Sequence, residues 1–520
     1  MRFPVRSSLG LWLLAGCGAA SADSCEKLAR LNLRGTTITT AELVPAGNFK
    51  SADGPAQQDL PAFCRVGGVI KPTPDSDIRF EVWMPASGWN RRFLGIGNPG
   101  FGGAISYNEL GAAVSRGYAA ASTDTGHRAG VLDAGWALNH PEKVIDFGYR
   151  AIHETTQAAK AILAALFGAG PAHSYFNGCS NAGRQALMEA QRYPEDYDGI
   201  AAGAAANNWT RLLTMGAADL KALHGNAAAY IPAAKLPAID AAALAACDAK
   251  DGLKDGIIAN PSECNFDPAA LLCKASETDQ CLTGAQVAAL KALYGGLRDR
   301  AGAVLFPGYS PGGEAGPGGW AAWITGGAPG TSLMSMYVNQ FFRNMVYDDP
   351  TWDYKVASVD QMMKLADQRQ AVHLNATDPD LKRFRERGGK LILYHGWSDP
   401  AVPPLNTISY YEAVMATTGL KQGALFLRLY MVPGMQHCGG GSGPNMFGQS
   451  GVPQSDAKHD IGAALERWTE NGVAPDEIIA TNSNAPGGKT LTRPLCPYPH
   501  VAKYKGSGGI DDAANFTCGN

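Results

Sequence analysis

Two reactive side chains lie far apart in the chain, and each has a cysteine as its immediate neighbour: Cys179-Ser180 and His437-Cys438. A serine hydroxyl becomes a useful nucleophile when a base takes its proton, and imidazole is the side chain best suited to that near neutral pH. A disulfide between the two cysteines would hold nucleophile and base together across the fold. Gly178-Cys179-Ser180-Asn181-Ala182-Gly183 sits between a strand-like run, Ser174 to Gly178, and a helical segment, Gly183 to Tyr193. A serine on a strand-to-helix elbow needs small residues two places before and after it, so that strand and helix can pass closely. Gly178 and Ala182 meet that need, Ala182 replacing the commoner glycine.

Sheet hydrolases with such an elbow present serine, acid and histidine in that chain order. The base must therefore follow Ser180 and a later strand. His437 follows the run Leu425 to Met431 through Val432-Pro433-Gly434-Met435, whereas His459 falls in a closing helix and His500 in a proline-rich tail. His395, in His395-Gly396-Trp397-Ser398-Asp399, precedes the acid and reads as a structural hydrogen-bonding residue. Asp399 lies just past the run Lys390 to Tyr394 and is expected to orient His437 and stabilise its imidazolium form. Two backbone N–H groups should face the developing oxyanion. Asn181 supplies one, and the loop Gly97-Asn98-Pro99-Gly100-Phe101-Gly102-Gly103 the other; Pro99 has no N–H, which leaves Gly100.

A second constellation is Cys247-Asp248-Ala249-Lys250-Asp251-Gly252-Leu253-Lys254-Asp255-Gly256-Ile257. Hard cations such as calcium take carboxylate and carbonyl oxygens at this density. Asp248, Asp251 and Asp255 would offer side chains, and Leu253 and Ile257 backbone carbonyls. The closing glutamate of an EF-hand is missing, and an aspartate-glycine turn without a metal is the plainer alternative. Distance in sequence from Ser180 makes the expected role structural.

These groups need elements to carry them. From residue 90 to 205, strand-like runs at Phe93 to Gly97, Tyr118 to Ser122, Ser174 to Gly178 and Asp198 to Ala202 alternate with helical periodicity at Val144 to Phe167 and Gly183 to Tyr193. That order predicts a mainly parallel sheet with helices on both faces. The pattern dissolves from Asn207 to Gly388 and resumes at Lys390, with a closing helix at Asp456 to Glu470 and a strand at Glu477 to Thr481. We therefore expect an α/β sheet domain, residues 23–206 and 389–520, interrupted by a long insertion at 207–388.

The chain has 520 residues, a formal net charge of -3 and no basic excess, which argues against nucleic acid as a partner. Arg2 and Arg6 precede the apolar run Leu9 to Ala15, and Ala20-Ser21-Ala22 offers a cleavage site, so residues 1–22 read as an export signal too short to span a membrane. Leu14-Ala15-Gly16-Cys17 also matches a lipoprotein box, in which Cys17 is lipidated; cleavage after Ala22 would discard it. Setting Cys17 aside, the eleven cysteines leave an even number in an exported chain, which predicts a disulfide framework whose pairing remains open. Short loops favour Cys247 with Cys264, Cys273 with Cys281 and Cys496 with Cys518, leaving Cys25 with Cys64 and Cys179 with Cys438.

The chain resembles the tannase and feruloyl esterase family, which includes bacterial terephthalate-monoester hydrolases. The likeness rests on Trp89-Asn90-Arg91-Arg92-Phe93, Asp146-Phe147-Gly148-Tyr149-Arg150, Gly178-Cys179-Ser180 with Arg184-Gln185, and Glu189-Ala190-Gln191-Arg192-Tyr193-Pro194. Asp198-Gly199-Ile200, the aspartate-rich loop, Trp397-Ser398-Asp399, His437-Cys438 and Pro494-Leu495-Cys496-Pro497-Tyr498-Pro499 extend it over nearly the whole mature chain. The resemblance implies an α/β-hydrolase core with a large inserted lid, a Ser180-Asp399-His437 triad, a Cys179–Cys438 bridge, the local cysteine pairings above, and a structural calcium held by Asp248, Asp251, Leu253, Asp255 and Ile257. Ala182 and the Pro99-containing loop depart from the family pattern.

The expectation that follows is an exported serine esterase, secreted or periplasmic, acting on esters of aromatic acids through an acyl-enzyme. The lid aromatics Trp320, Trp323, Tyr337, Phe341 and Phe342 are candidates for holding the acyl group; the alternative is that they form lid core. Rival readings are a terephthalate-monoester hydrolase or other serine hydrolase on the same core, and an inactive calcium-dependent binding module.

Overall fold

The computed structural model describes residues 21–449, 454, 456–485 and 488–519. Arg2, Arg6, Leu9 to Ala15 and Cys17, and the export and lipidation readings built on them, lie outside the described residues. A nine-stranded sheet forms the frame. Its strands are β1 (Thr36–Val44), β2 (Phe63–Ile70), β3 (Ile78–Pro85), β4 (Arg92–Ile96), β5 (Ala119–Thr123), β6 (His173–Cys179), β7 (Gly199–Gly203), β8 (Lys390–Gly396) and β9 (Leu427–Val432). They lie in the order β1-β2-β3-β5-β4-β6-β7-β8-β9. The pairs from β5 onward are parallel, as strand-helix alternation predicts, while β1, β2, β3 and β5 pair antiparallel.

Helices of nine residues or more are α1 (Tyr107–Ser115), α2 (Ala151–Phe167), α3 (Asn181–Arg192), α4 (Trp209–His224), α5 (Leu236–Cys247), α6 (Gly284–Gly295), α7 (Leu333–Phe341), α8 (Val359–Leu374), α9 (Pro404–Thr418) and α10 (Ile461–Asn471). Side chains alternate across a strand, so a sheet covered on both faces shows continuous burial. In β8, Leu391 and Leu393 pack in one core with residues of α2, α3 and α9, while Ile392 and Tyr394 pack in another with α1 and α10. The helix expected at Val144 to Phe167 is interrupted: Asp146–Arg150 forms a widened turn before α2. Within that turn Arg150 Nε donates to Asp146 Oδ1 at 2.5 Å.

Between β7 and β8 the chain forms a mainly helical body, α4 to α8. Its core includes Leu212, Leu213, Met334, Val338, Phe341 and Phe342, and it merges with Phe101, Ala401 and Val402 from loops after β4 and β8. The body thus sits over the carboxyl ends of the parallel strands, where open α/β sheets place their ligands. One stretch among the described residues, Ala227–Asp251, is long and apolar enough to cross a membrane by length and composition, with mean hydropathy 1.2. It contains Pro232 and Pro237 and folds as short turns followed by α5, whose Leu236, Ile239 and Ala243 are buried in protein core.

Five disulfides pair Cys25–Cys64, Cys179–Cys438, Cys247–Cys264, Cys273–Cys281 and Cys496–Cys518.

Candidate active site

Ser180 joins β6 to α3 with φ 67°, a left-handed conformation that is strained for a serine. Backbone bonds lock it there: Ser180 N donates to Gly203 O at 3.0 Å, and Ser180 O accepts from Arg184 N at 3.0 Å. The small residues around it are a steric necessity, since a Cβ on Gly178 would lie 2.6 Å from that of Ala182, and one on Gly183 would lie 2.4 Å from Gly203 O. Ala182 fits because Gly97, facing it, is itself a glycine; a Cβ there would come within 2.5 Å.

His437 follows β9, and Asp399 follows β8. His437 Nε2 is 2.8 Å from Ser180 Oγ, and His437 Nδ1 is 2.8 Å from Asp399 Oδ2. The three residues assigned from chain order therefore meet in one hydrogen-bonded chain. The Asp399 side chain is fully buried, and its Oδ1 accepts from the N–H groups of Ala401 at 2.8 Å and Val402 at 2.9 Å. Burial alone would raise this carboxyl, but the His437 and His395 imidazoles beside it outweigh burial and hold Asp399 well below the usual carboxylate range.

His395 has a larger part than its position before the acid implied. Its Nε2 lies 3.1 Å from Asp399 Oδ2 and 2.9 Å from Val402 O, and its Nδ1 lies 2.7 Å from Thr407 Oγ1. With Thr407 donating to Nδ1, the imidazole carries its proton on Nε2, facing the acid. The His395-Gly396-Trp397-Ser398-Asp399 motif contains the clue, since a histidine four residues before the acid spans a single tight turn.

Gly100 and Asn181 line one pocket with Ser180. Among the described residues no acceptor takes the backbone N–H of either. Gly100 has φ 54°, and a Cβ there would strike Val131 O at 2.3 Å and Tyr337 Oη at 2.7 Å, so only glycine fits. The loop is fixed from below: Asn98 N donates to Gln185 Oε1 and Asn181 Nδ2 to Asn98 O, both at 2.9 Å. Arg184, wholly buried, binds Asn181 Oδ1 at 2.8 Å and the carbonyls of Gly148 at 2.7 Å and Phe147 at 3.1 Å. Burial pushes its guanidinium down to about 9, and carbonyl dipoles and the Phe147 ring compensate it. Sequence patterns flag Arg184-Gln185 and Phe147-Gly148 without revealing that together they hold Asn181 and the loop before Gly100.

The five candidate aromatics of the helical body divide. Trp323 packs edge-on against His437 with ring centroids 5.1 Å apart and lies parallel to Tyr337; both line the space around Ser180. Trp320, Phe341 and Phe342 do not line it. Trp320 is enclosed by Tyr294 and Tyr309, Phe342 stacks on Trp352, and all three are buried in the core of the helical body. Five aromatic residues at helical spacing cannot all face the same opening, and packing decides which do.

Two spaces adjoin Ser180. One is small and apolar, bounded by Trp209, Leu212, Leu213 and Met334 of the helical body. The other, about 580 Å³, includes His437 and Cys438 and extends between α1 and α10.

The aspartate-rich loop lines neither of these two spaces. Asp248 Oδ1 accepts from Asp255 N and Gly256 N, both at 3.2 Å, and Asp255 Oδ2 from Arg493 Nη2 at 2.9 Å. Burial, then the charges of neighbouring aspartates, raises the Asp251 carboxyl; burial also raises Asp255, opposed by Arg493.

The family model for tannase and feruloyl esterase matches residues 64–519. An uncharacterized esterase of Xanthomonas campestris pv. campestris is 44% identical, covering 100% of this chain and 95% of that protein. The mono(2-hydroxyethyl) terephthalate hydrolase of Piscinibacter sakaiensis is 35% identical over 96% of this chain and 92% of its own. The crystal structure of feruloyl esterase B from Aspergillus oryzae superposes with a TM-score of 0.87 at 29% identity, covering 96% of this chain and 99% of that one. With an α/β frame of this kind and a match over most of its length, the chain is a carboxylic ester hydrolase and belongs to the tannase and feruloyl esterase family.

Proposed function

We propose that this protein is an exported serine esterase that cleaves carboxylic esters of aromatic acids on an α/β-hydrolase core, with the helical body as its lid. The observation that carries the reading is the unbroken chain from Ser180 Oγ through His437 to Asp399 Oδ2, with both links at 2.8 Å. His437 Nε2 takes the serine proton as Oγ attacks the ester carbonyl, and Asp399 stabilises the resulting imidazolium. The N–H groups of Gly100 and Asn181 receive the oxyanion. His437 then gives the proton to the leaving alkoxide, freeing the alcohol and leaving an acyl-Ser180. Water, deprotonated by the same imidazole, attacks that ester and releases the acid.

The apolar lining of Trp209, Leu212, Leu213, Met334, Trp323 and Tyr337 suits the faces of a flat aromatic acyl group, for which this space of about 30 Å³ has to widen. The terephthalate-monoester hydrolase among its relatives supports a second reading, in which that acyl group is a terephthalate. Five disulfides fit an oxidising compartment outside the cytosol.

The aspartate loop fits calcium by its donors. All are oxygens, and the crowding of Asp251 with Asp248 and Asp255 is of a kind that a divalent cation relieves. Asp248, Asp251 and Asp255 would hold the ion with the carbonyls of Leu253 and Ile257, and the bound ion would stiffen the loop closed by Cys247–Cys264.

Rates on methyl gallate, methyl ferulate, a terephthalate monoester and an aromatic peptide amide test the reading. Turnover of at least one aryl ester far above the amide is expected. Preference for the amide, or inertness toward all of them, would contradict it.

A further inference from the structure

The larger space beside Ser180 is a built chamber. On α1 its wall is Glu109, Ala112 and Ala113, residues three and four apart that share one helical face, continued by Arg116 just past the helix end. On α10 the wall is Leu465 and Glu466, and the floor is the sheet. A volume of about 580 Å³ falls within the range of roughly 300–1,000 Å³ typical of small-molecule sites.

The chemistry proposed above, on which this inference rests, assigns the two spaces. The imidazole that deprotonates Ser180 must next protonate the leaving oxygen, so the alcohol portion has to lie on the side that His437 faces. His437 and Cys438 line the chamber and are absent from the apolar pocket. The acyl group therefore occupies the apolar pocket, and the alcohol extends into the chamber.

The chamber's polar groups are unequal. Glu466 is taken up by Arg92 at 3.1 Å, by Arg116 at 3.6 Å and by the Tyr118 hydroxyl. Glu109 has no hydrogen bond or ion pair among the described residues. Its side chain is exposed to solvent in the chamber, while the protein packed around it raises its carboxyl to about 7. A carboxylate that accepts from no protein group is free to accept from hydroxyl groups entering the chamber.

We propose that the chamber between α1 and α10 is the leaving-alcohol subsite, and that Glu109 selects neutral, hydroxyl-donating alcohols and repels alcohols that carry a carboxylate. Hydroxyl groups reaching Glu109 satisfy its oxygens; a second carboxylate beside ionised Glu109 meets like-charge repulsion.

The test uses three esters of one aromatic acid: with methanol, with a pentitol, and with the matching pentonate. The native protein should prefer the pentitol ester to the pentonate ester by about tenfold or more in kcat/KM. Glu109→Gln should close most of that gap by lowering KM for the pentonate ester, while the methyl ester, too small to reach Glu109, changes less than about twofold. Ala112→Phe, which fills the chamber, should slow both larger esters and spare the methyl ester. A pentitol-to-pentonate ratio unchanged in Glu109→Gln, or an equal loss on all three esters in Ala112→Phe, would overturn the proposal. Failure of the native protein on the methyl ester would instead overturn the esterase reading beneath it.

Discussion

His395 Nε2 lies 3.1 Å from the same Asp399 oxygen that binds His437 Nδ1 at 2.8 Å. The acid is thus gripped by two imidazoles on Oδ2 and two backbone N–H groups on Oδ1, with no freedom to turn away from His437. Replacing His395 by phenylalanine keeps the bulk and removes the bond. We expect kcat to fall by about ten- to a hundredfold with KM nearly unchanged, because Asp399 is then free to misalign His437. His395→Gln, which can still donate, should recover part of the loss. An unchanged kcat in His395→Phe would show that the backbone N–H groups suffice.

The disulfide Cys179–Cys438 joins the residues beside Ser180 and His437 across 259 positions. In the loop-closure entropy model it contributes roughly 5–6 kcal/mol, so a variant can lose the fold for that reason alone. Activity and far-UV ellipticity must therefore be followed together in Cys179→Ser/Cys438→Ser. We expect turnover to fall at least tenfold at temperatures where ellipticity is native, since the Ser180–His437 distance is no longer clamped. Parallel loss of both signals would make the bridge a stabiliser only.

Glu189, fully buried on α3, has both carboxyl oxygens without hydrogen-bond partners among the described residues. Burial, then the charge of Asp196, raises its carboxyl well above the usual range. Its folded value exceeds an unfolded one of about 4.3, so the folded state's advantage in binding that proton is complete below that pH and is lost as pH rises. Glu189→Gln should leave the urea midpoint unchanged near pH 4 and raise stability by about 1–3 kcal/mol near pH 8. Equal effects at both pH values would contradict the assignment.

If the loop of Asp248, Asp251 and Asp255 holds calcium, chelation should destabilise the protein with little direct effect on kcat. At a free calcium concentration a hundred times the dissociation constant, the ion contributes about 2.7 kcal/mol. EDTA should lower the melting temperature, added calcium should restore it, and Asp251→Asn should blunt the difference. A melting temperature indifferent to EDTA would count against the site.

The hydrogen-bonded chain of Ser180, His437 and Asp399 is legible in the sequence because each residue follows a strand-like run in a fixed chain order, and the neighbouring cysteines mark two of the three. The parallel half of the sheet is legible for a related reason: runs such as Ala119–Ala121 and Leu391–Leu393 are buried on both faces and continuously apolar. The antiparallel strands β1 to β3 are not marked by strand-helix alternation, since no helix lies between them. Trp323 and Phe342 are alike in type and setting, and only packing sends one to His437 and the other into core. The chamber was hidden for the same reason, because Glu109 and Leu465 become neighbours only when α1 and α10 meet over the sheet.

The central claim is that Ser180 is the nucleophile. Incubation with a fluorophosphonate followed by peptide mass mapping tests it most directly. The account predicts a single phosphonylated site at Ser180 in the native protein, and neither labelling nor aryl-ester turnover above about 10⁻⁴ of native in Ser180→Ala with the fold intact. Labelling at another residue, or native-level turnover by Ser180→Ala, would contradict it.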